Sequence, residues 1–503
     1  MRRPRPPPSR RVTEGRRGRL AACGGLAIGA VLAVQGADAT GWDVIPRLSV
    51  QAVLSDNLDL DPPGEEDAGF VWVLNPGLSI HNREQGGRVQ LAFDYSPQGL
   101  RYGSDTDQRS NGWGHRGQAL AKVEAVEDHL FFDLRMGANL TNTDRTSPQV
   151  ADQVAGQSLL TQSFYYGISP YYLHHFGNVA DATLRYRFDE VLYEGDSPDS
   201  TSNGVNLLVV SGSDFPRLGW DVAYDYRKVE YDDSGQAGGS SRDTKFEEIV
   251  GRIRYPLNSQ WAPFASLGYE DNDYQSSFGQ PSGRTWSLGV NYTPSQRTSL
   301  SAGYRDRAIG DNWFFNFRHR GHRTAWTARY DEDLTTSRDI LIDQQLVPLF
   351  DEFGNPIQDP LSGANLFVPI DIPSPNTDVI LSKRLDGSVS YLARRTTTTL
   401  RVYHNDREYQ ESGDTDKVLG SSLQIGRRLD RRTSGTILAT WQRTEYEPES
   451  DTQTYWNFGL RLNRDLAQDV RGTLEVRHQE NDGDRSVDNY RENRITAGVT
   501  YTF

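Results

Sequence analysis

Cysteine and methionine are almost missing from this 503-residue chain, which has one Cys and two Met. Cys23 lies in an N-terminal segment that we expect to be removed, so the mature chain would carry no disulfide and no thiolate metal site. Two methionines are too few for a soft, adaptable core. Hydrophobic residues make up only 36% of the chain, so a large soluble core would be hard to fill.

Positive charge is in the minority, because 54 Lys and Arg face 68 Asp and Glu, for a net charge of −14. Phosphate contacts need clustered Lys and Arg, so nucleic acid is not an expected partner. The charge would fit a disordered chain, but aromatic residues reach 11%, and disordered chains are poor in aromatics. Aromatic girdles at two membrane interfaces would use this surplus.

Long apolar runs are missing after residue 40, so the sequence predicts no transmembrane helix. This leaves a membrane barrel open, because a barrel strand faces lipid only at alternate residues.

The N-terminus has the order of a secretory signal peptide. A basic stretch at 2–19 precedes an apolar run at 20–34, and a small-x-small pattern ends at Ala39. The apolar run is too short to span a bilayer as a helix. We therefore predict cleavage after Ala39, which gives a signal peptide at 1–39 and a mature domain at 40–503.

Two other export signals are open alternatives. Cys23 ends a lipoprotein-like box, although the apolar run follows the cysteine instead of preceding it. Arg10 and Arg11 resemble a twin-arginine start, but Thr13 stands where an apolar residue is usual. The long basic region also leaves open a start codon downstream of Met1.

Apolar and polar residues alternate with period two along the mature chain. Trp286, Leu288, Val290 and Tyr292 alternate with Thr285, Ser287, Gly289 and Asn291, and the same pattern recurs at 130–140, 220–227 and 456–463. Successive side chains of a strand point to opposite faces, so each segment has one apolar and one polar face. We interpret the mature chain as all-β.

Strand length and connections favour a barrel over a soluble sandwich. Segments such as 130–140 have the roughly 9–11 residues that a tilted strand needs to cross a bilayer. Short turns at 293–297, 428–432 and 464–468 alternate with longer polar loops at 55–69, 96–115, 232–243 and 480–489. The acidic residues of the longer loops would be solvated surface, or would bridge cations to lipopolysaccharide. Outer-membrane lipid and lipopolysaccharide are thus expected partners.

The alternation pattern predicts where every second strand begins. These starts are near Val44, Arg88, His129, Ala180, Gly219, Trp261, Thr298, Arg323, Thr396, Thr433 and Val470. A returning strand follows each, which gives roughly 22 strands within a range of about 16–22. The predicted fold is a transmembrane antiparallel up-and-down β-barrel with both termini in the periplasm.

The last strand carries the most specific local signal. Ile495, Val499, Tyr501 and Phe503 share one apolar face, and the chain stops at the aromatic residue. Bacterial outer-membrane barrels typically end in this way, and their assembly machinery recognises the last strand. We therefore expect the barrel-assembly machinery as a partner; an ordinary terminal strand is the alternative.

A Pro-rich segment at 341–377 breaks the alternation. Its six prolines exclude a paired strand, because proline cannot donate to the ladder. Loops of this length are usually functional or disordered. Apolar residues such as Phe350 and Phe367 suggest packing in the lumen or on an extracellular partner.

No nucleotide-binding, zinc or dinucleotide motif is present, and the nine His are scattered. We assign no catalytic residue, cofactor or metal site, and we do not expect an enzyme. The inward-facing polar residues are the candidate working surface, where both signs of charge would tune selectivity or pair structurally. The candidate lumen-facing charges are Asp133, Arg135, Asp221, Asp225, Arg227, Arg305, Arg461, Glu475 and Arg477.

A family resemblance runs in order through most of residues 42–503. Its clearest part is at 283–300 (GRTWSLGVNYTPSQRTSL), followed by Arg323-Thr-Ala-Trp326 and Tyr330-Asp-Glu-Asp-Leu-Thr-Thr336. These strand and turn motifs resemble the PEP-CTERM system-associated outer-membrane protein family. The resemblance implies a porin-like barrel linked to exosortase sorting and exopolysaccharide biosynthesis, with no catalytic residues to carry over.

Three functions follow as hypotheses. The first is export or surface anchoring of exopolysaccharide or sorted surface proteins. The second is a structural or docking barrel with a filled lumen, and the third is a general diffusion porin. Conductance and loss of surface polymer on deletion would separate them.

Overall fold

The computed structural model describes residues 41–82, 87–103, 111–195, 197–232, 243–279, 281–345 and 373–503. The expected signal peptide at 1–39, with its cleavage after Ala39, lies outside the described residues.

The described chain is almost entirely β-structure, with one α-helix, α1 (Ser337–Gln345), and two short 3-10 turns at Gln157–Leu159 and Ser486–Asp488. The strands are β1 (Trp42–Ser55), β2 (Gly69–Asn82), β3 (Val89–Tyr95), β4 (Gln98–Tyr102), β5 (Gly112–Gly114), β6 (Gly117–Val126), β7 (Leu130–Asn142), β8 (Leu160–His175), β9 (Ala180–Tyr193), β10 (Ser200–Ser211), β11 (Gly219–Tyr231), β12 (Thr244–Arg254), β13 (Trp261–Asp273), β14 (Gly283–Ser295), β15 (Thr298–Arg307), β16 (Gly310–Arg320), β17 (Thr324–Thr336), β18 (Val379–Leu392), β19 (Thr396–Tyr409), β20 (Thr415–Arg428), β21 (Thr433–Glu447), β22 (Asp451–Asp465), β23 (Val470–Gly483) and β24 (Tyr490–Thr502).

The sheet closes on itself because β1 pairs with β24 in antiparallel register, from Arg47 opposite Thr502 to Ser55 opposite Arg494. Two strands of the wall are interrupted: β3 and β4 both pair with β2, while β6 pairs with β3 and β5 with β4. The segments therefore form a closed antiparallel barrel of 22 strands. This confirms the predicted up-and-down β-barrel, at the upper end of the expected range.

The predicted long loops differ from the structure in two places. The expected loop at 96–115 contains β4 and β5, and the expected loop at 480–489 begins only after Gly483. Pro97, which has no N–H to donate, lies between β3 and β4, so the ladder breaks there and then resumes. Polar sequence that looked like loop is thus partly strand that extends beyond the apolar band.

The two faces of the wall differ in the way the period-two pattern predicts. On β22, Trp456, Phe458 and Leu460 are exposed, while Tyr455 and Asn457, which alternate with them, are buried. A long row of exposed apolar side chains is unfavourable in water but suits contact with lipid. The outer face is therefore apolar and the inner face largely polar.

The two rims of the barrel carry different connections. At one rim the links are short, such as residues 296–297 and 393–395, and at the other they include the longer segments 56–68 and 143–159. We call the second rim the mouth. Outer-membrane barrels place short turns in the periplasm and longer loops outside. Among the described residues, no helix is both long and apolar enough to cross a membrane.

The helix α1 was not predicted. The Pro-rich segment expected as irregular loop at 341–377 begins inside this helix, and residues 346–372 lie outside the described part of the chain. Thr336 precedes the helix, and its Oγ1 accepts a hydrogen bond from the Asp339 backbone N–H at 3.3 Å. This is a helix cap, and Asp339 adds a negative charge to the first turn.

Candidate functional site

Residues 143–159, which link β7 to β8, fold inward across the mouth; we call them the mouth loop. The Ala151 N–H donates to Gln479 Oε1 of β23 at 3.1 Å, and Gln453 Nε2 of β22 donates to the Thr146 carbonyl at 2.8 Å. Ala155 is fully buried. These partners lie on the inner face of the wall, several strands away from β7 and β8. The mouth loop therefore occupies the entrance of the lumen.

Asp152 of the mouth loop is bound by two arginines of the wall. Arg494 of β24 donates to both carboxylate oxygens, Nη1 to Oδ1 and Nη2 to Oδ2, each at 2.8 Å. Arg477 Nη1 of β23 donates to Oδ2 at 2.7 Å. Burial raises the pKa of the Asp152 carboxyl, but the charges of Arg494 and Arg477 outweigh it and hold the pKa well below its usual range. Two fixed guanidinium groups thus clamp the loop to the wall.

Arg145 anchors the start of the mouth loop further round the barrel. Its Nη1 donates to Asp416 Oδ1 of β20 at 2.7 Å, and its Nη2 donates to Glu449 Oε1 at 2.5 Å. The guanidinium carbon also lies 5.7 Å from the ring centroids of Tyr409 and Tyr446. Aromatic faces attract a cation, so these rings add to the ion pairs.

The helix α1 fills the mouth from another side. Arg338, only 2% exposed, donates through Nε to Ser200 Oγ at 3.0 Å and through Nη2 to the Asp189 carbonyl at 3.1 Å. Both acceptors belong to β9 and β10, whereas α1 follows β17 in the chain. Leu341 and Ile342 are buried in a cluster with Tyr165, Val191 and Tyr193.

Asp339 adds a charged contact to the same anchor. Arg227 Nη1 of β11 donates to Asp339 Oδ2 at 2.5 Å, and Arg338 Nη1 donates to Oδ1 at 3.1 Å. Burial raises the pKa of the Asp339 carboxyl, but the two arginine charges prevail and the pKa stays low. The carboxylate therefore remains ionised and paired at neutral pH.

A cavity of about 700 Å³ lies on the inner wall nearer the rim of short turns. Three charged lining residues form two ion pairs. Arg185 Nη1 lies 2.6 Å from Asp133 Oδ2, and Arg135 Nη2 lies 2.8 Å from Asp189 Oδ1. Lys122 also lines it, with its Nζ 5.0 Å from the Phe131 ring centroid. The cavity is thus polar and charged.

The structure distributes the nine candidate lumen-facing charges over several groups. Asp133 and Arg135 both line the cavity. Arg461, Glu475 and Arg477 form a chain of ion pairs that ends on Asp152. Arg305 pairs with Asp331, and Arg227 with Asp339. Asp225 accepts from Asn206 Nδ2 at 3.3 Å, and Asp221 lies opposite Arg252 in register.

The outer-face residues of the last strand occupy the seam where the barrel closes. Ile495, Val499, Tyr501 and Phe503 are all exposed, on a strand hydrogen-bonded to both β1 and β23. Their recognition by the barrel-assembly machinery stays a prediction. His175 and His319 lie at the rim of short turns, where they contact Asp181 and Thr298. Within the described ranges, no group of three or more His, Cys, Asp or Glu is placed to hold a metal ion.

The anchors of the mouth were missed by sequence reasoning. Asp152, Arg145 and Arg494 lie in polar stretches that resemble any solvated loop or wall. Their partners are more than 250 positions away in the chain, so no local pattern links them. Only α1 had a local signal, the cap formed by Thr336 and Asp339.

No family model matches the chain, and no curated protein matches it. The resemblance to the PEP-CTERM-associated family therefore gains no support from these comparisons. Solved structures do match. Two variants of the FrpB iron transporter from Neisseria meningitidis, F3-3 and F5-1, are each 12% identical with a TM-score of 0.51. The matches cover 93% and 92% of this chain and 82% and 83% of theirs.

A further match is the ferric enterobactin receptor PfeA from Pseudomonas aeruginosa, at 11% identity and a TM-score of 0.49, covering 92% of this chain and 80% of that one. Likeness at these identities shows the fold alone. The likeness to the two FrpB structures, together with the apolar outer face, places this chain among the large β-barrels of the Gram-negative outer membrane.

Proposed function

We propose that this protein is a gated outer-membrane conduit, closed at its mouth by its own mouth loop and α1. Its role would be the export or surface anchoring of exopolysaccharide or sorted surface proteins in a PEP-CTERM/exosortase system. The observation that carries the gate is the clamp of Asp152 between Arg477 and Arg494 on a distant part of the wall.

The number of strands supports a conduit. A barrel of 22 strands encloses a lumen too wide for wall side chains alone to fill, and barrels of this size hold a plug. In the described chain, the mouth loop and α1 occupy the mouth from separate positions around the wall. An equilibrium between seated and released segments would then open and close the lumen.

The chemistry of the anchors suits a reversible seat. Five arginines hold the two segments: Arg145, Arg477 and Arg494 for the mouth loop, and Arg227 and Arg338 for α1. The apolar contacts are small clusters, which contain Leu341 and Ile342 of α1 and Val154 and Ala155 of the mouth loop. Ion pairs can exchange for water or for a charged ligand, whereas a large apolar interface would hold more permanently. The polar wall behind them suits a hydrophilic cargo.

The nature of the cargo rests on the resemblance of 283–300 and of the motifs up to Thr336. The likeness to iron transporters, at 12% identity, supports the barrel and not a siderophore as cargo. Deletion of the protein should therefore reduce surface polymer or sorted surface protein without reducing iron uptake.

A docking barrel with a filled lumen is the second candidate, and the buried Arg338 favours it, because this residue is held on three sides. Single-channel recording separates the candidates. If the protein is a gated conduit, the wild-type barrel is closed apart from rare openings, and openings become frequent in Asp152→Asn. A docking barrel stays silent in both, and a diffusion porin conducts steadily without any substitution.

A further inference from the structure

The luminal cavity contains more positive charge than its neighbouring carboxylates neutralise. Asp133 is paired with Arg185, and Asp189 with Arg135, so these four groups cancel. The remaining charged groups in the lining are Lys122 and Arg187, and neither has a carboxylate within 4.0 Å among the residues that the structure describes. Both side chains are exposed.

This surplus contrasts with the net charge of −14 of the whole chain. The two ion pairs also fix their surroundings, because a guanidinium paired at 2.6–2.8 Å has little freedom to reach elsewhere. Within the described ranges, Lys122 and Arg187 are the cationic lining residues without an ion-pair partner. His81, which also lines the cavity, lies 3.4 Å from Asp43 and adds a polar edge.

Outer-membrane barrels have their short turns in the periplasm, which puts the cavity on the periplasmic side of the closed mouth. Asp133 is the fourth residue of β7 counted from the rim of short turns, whereas the mouth loop begins beyond the opposite end of that strand. A ligand from the periplasm would therefore reach Lys122 and Arg187 without passing the mouth. A volume of about 700 Å³ is in the range of small-molecule binding sites.

We propose that this cavity is an entry site for an anionic sugar segment, in which Lys122 and Arg187 bind the acidic groups of the polymer. That the ligand is a sugar rests on the proposed function, whereas its negative charge is inferred from the positive charge of the cavity itself. It would select acidic over neutral polymer before the mouth opens.

The test is a binding measurement by isothermal titration calorimetry on the full-length, detergent-solubilised barrel. The probes are trigalacturonate, neutral maltotriose and inorganic phosphate. The test variant is Lys122→Gln with Arg187→Gln. The matched control is Arg217→Gln with Arg297→Gln, which removes the same charge at exposed turns of the same rim. Heat-modifiable gel mobility verifies that each variant is folded.

We expect trigalacturonate to bind the wild type and the control equally, and to bind the double Gln variant about tenfold more weakly or worse. Lys122→Arg with Arg187→Lys keeps the charge and should retain most of the binding. Equal binding of maltotriose, equal binding of phosphate alone, or an unchanged affinity in the double Gln variant would overturn the proposal. Binding in detergent needs no open mouth, so this result is independent of whether the barrel conducts.

Discussion

The substitution Asp152→Asn removes the charge that holds the mouth loop while leaving the side chain nearly the same size. In the wild type, Asp152 accepts three hydrogen bonds from Arg477 and Arg494, at 2.7–2.8 Å. Arg494 is only 3% exposed, so the substitution leaves a buried guanidinium without its main counter-charge. Breaking a buried pair in this way costs about 3–5 kcal/mol.

Glu492 reduces this cost, because its carboxylate lies 3.8 Å from Arg494 Nε and still balances part of the charge. We therefore take the lower end, about 3 kcal/mol, as the loss of seating energy. Since each 1.4 kcal/mol is a factor of ten, the ratio of released to seated mouth loop should rise by about a hundredfold.

The assay is single-channel recording in planar bilayers with the purified full-length barrel. Openings should be rare in the wild type and frequent in Asp152→Asn. Glu127→Gln is the control, because it breaks the exposed pair with Arg88, whose side chains are 66% and 74% exposed, and such pairs contribute about 0–1 kcal/mol. A folded, heat-modifiable Asp152→Asn barrel with wild-type recordings would refute the clamp.

Three further predictions concern pH, α1 and the outer face. The Asp152 pKa is depressed in the folded state, so the stabilisation from its charge is present above the ordinary carboxyl pKa of about 3.9 and is lost only as pH falls through the lower folded pKa. The barrel should therefore stay closed in single-channel recordings from pH 7 to about pH 4. Frequent openings at pH 5 would contradict this prediction. Arg338→Met should release α1 and speed proteolysis within 337–345, whereas Arg329→Met, at a 66% exposed side chain, should not; equal cleavage rates would argue against the anchor. Leu460→Arg should lower the unfolding free energy in lipid vesicles by about 2–4 kcal/mol in a urea titration, against little change for Leu460→Ile; equal urea midpoints would show that this face does not contact lipid.

The wall of the barrel could be predicted because its pattern is local. Alternation such as Trp286, Leu288, Val290 and Tyr292 assigns each side chain to a face without knowledge of any partner strand. The predicted strand starts at Ala180, Gly219, Trp261, Thr298, Thr396, Thr433 and Val470 coincide with those of the structure. The short turns before these strands mark where each strand begins, because only a few residue types suit tight turns.

Strand ends at the mouth were harder to predict. β4 has only five residues and β5 only three, so neither is long enough for a clear period-two pattern, although Leu100 and Tyr102 of β4 are buried on one face. The sequence therefore predicts a loop at 96–115. The ladder there is held by backbone pairs such as Gly99 opposite Trp113, which leave little trace in composition.

The candidate site depends on contacts between distant parts of the chain. Asp152 and Arg494 are 342 positions apart, and only closure of the barrel brings β24 near the mouth loop. Inward charges such as Arg477 could be proposed from alternation, but their partners could not. By contrast, Thr336 and Asp339 provide a local helix-start signal, although the prolines after Leu341 predict irregular structure in the segment that follows.

The most direct test of the gated conduit is to fix the mouth loop covalently in its seat. Arg145 and Glu449 suit this, because they form an ion pair at 2.5 Å and both side chains reach solvent. With both changed to Cys, a short bismaleimide links loop and wall; the only native cysteine, Cys23, precedes the expected cleavage site. We predict that the linked barrel shows no openings even with Asp152→Asn, while either single Cys variant treated alike still opens. Openings that continue in the linked barrel would contradict the gate.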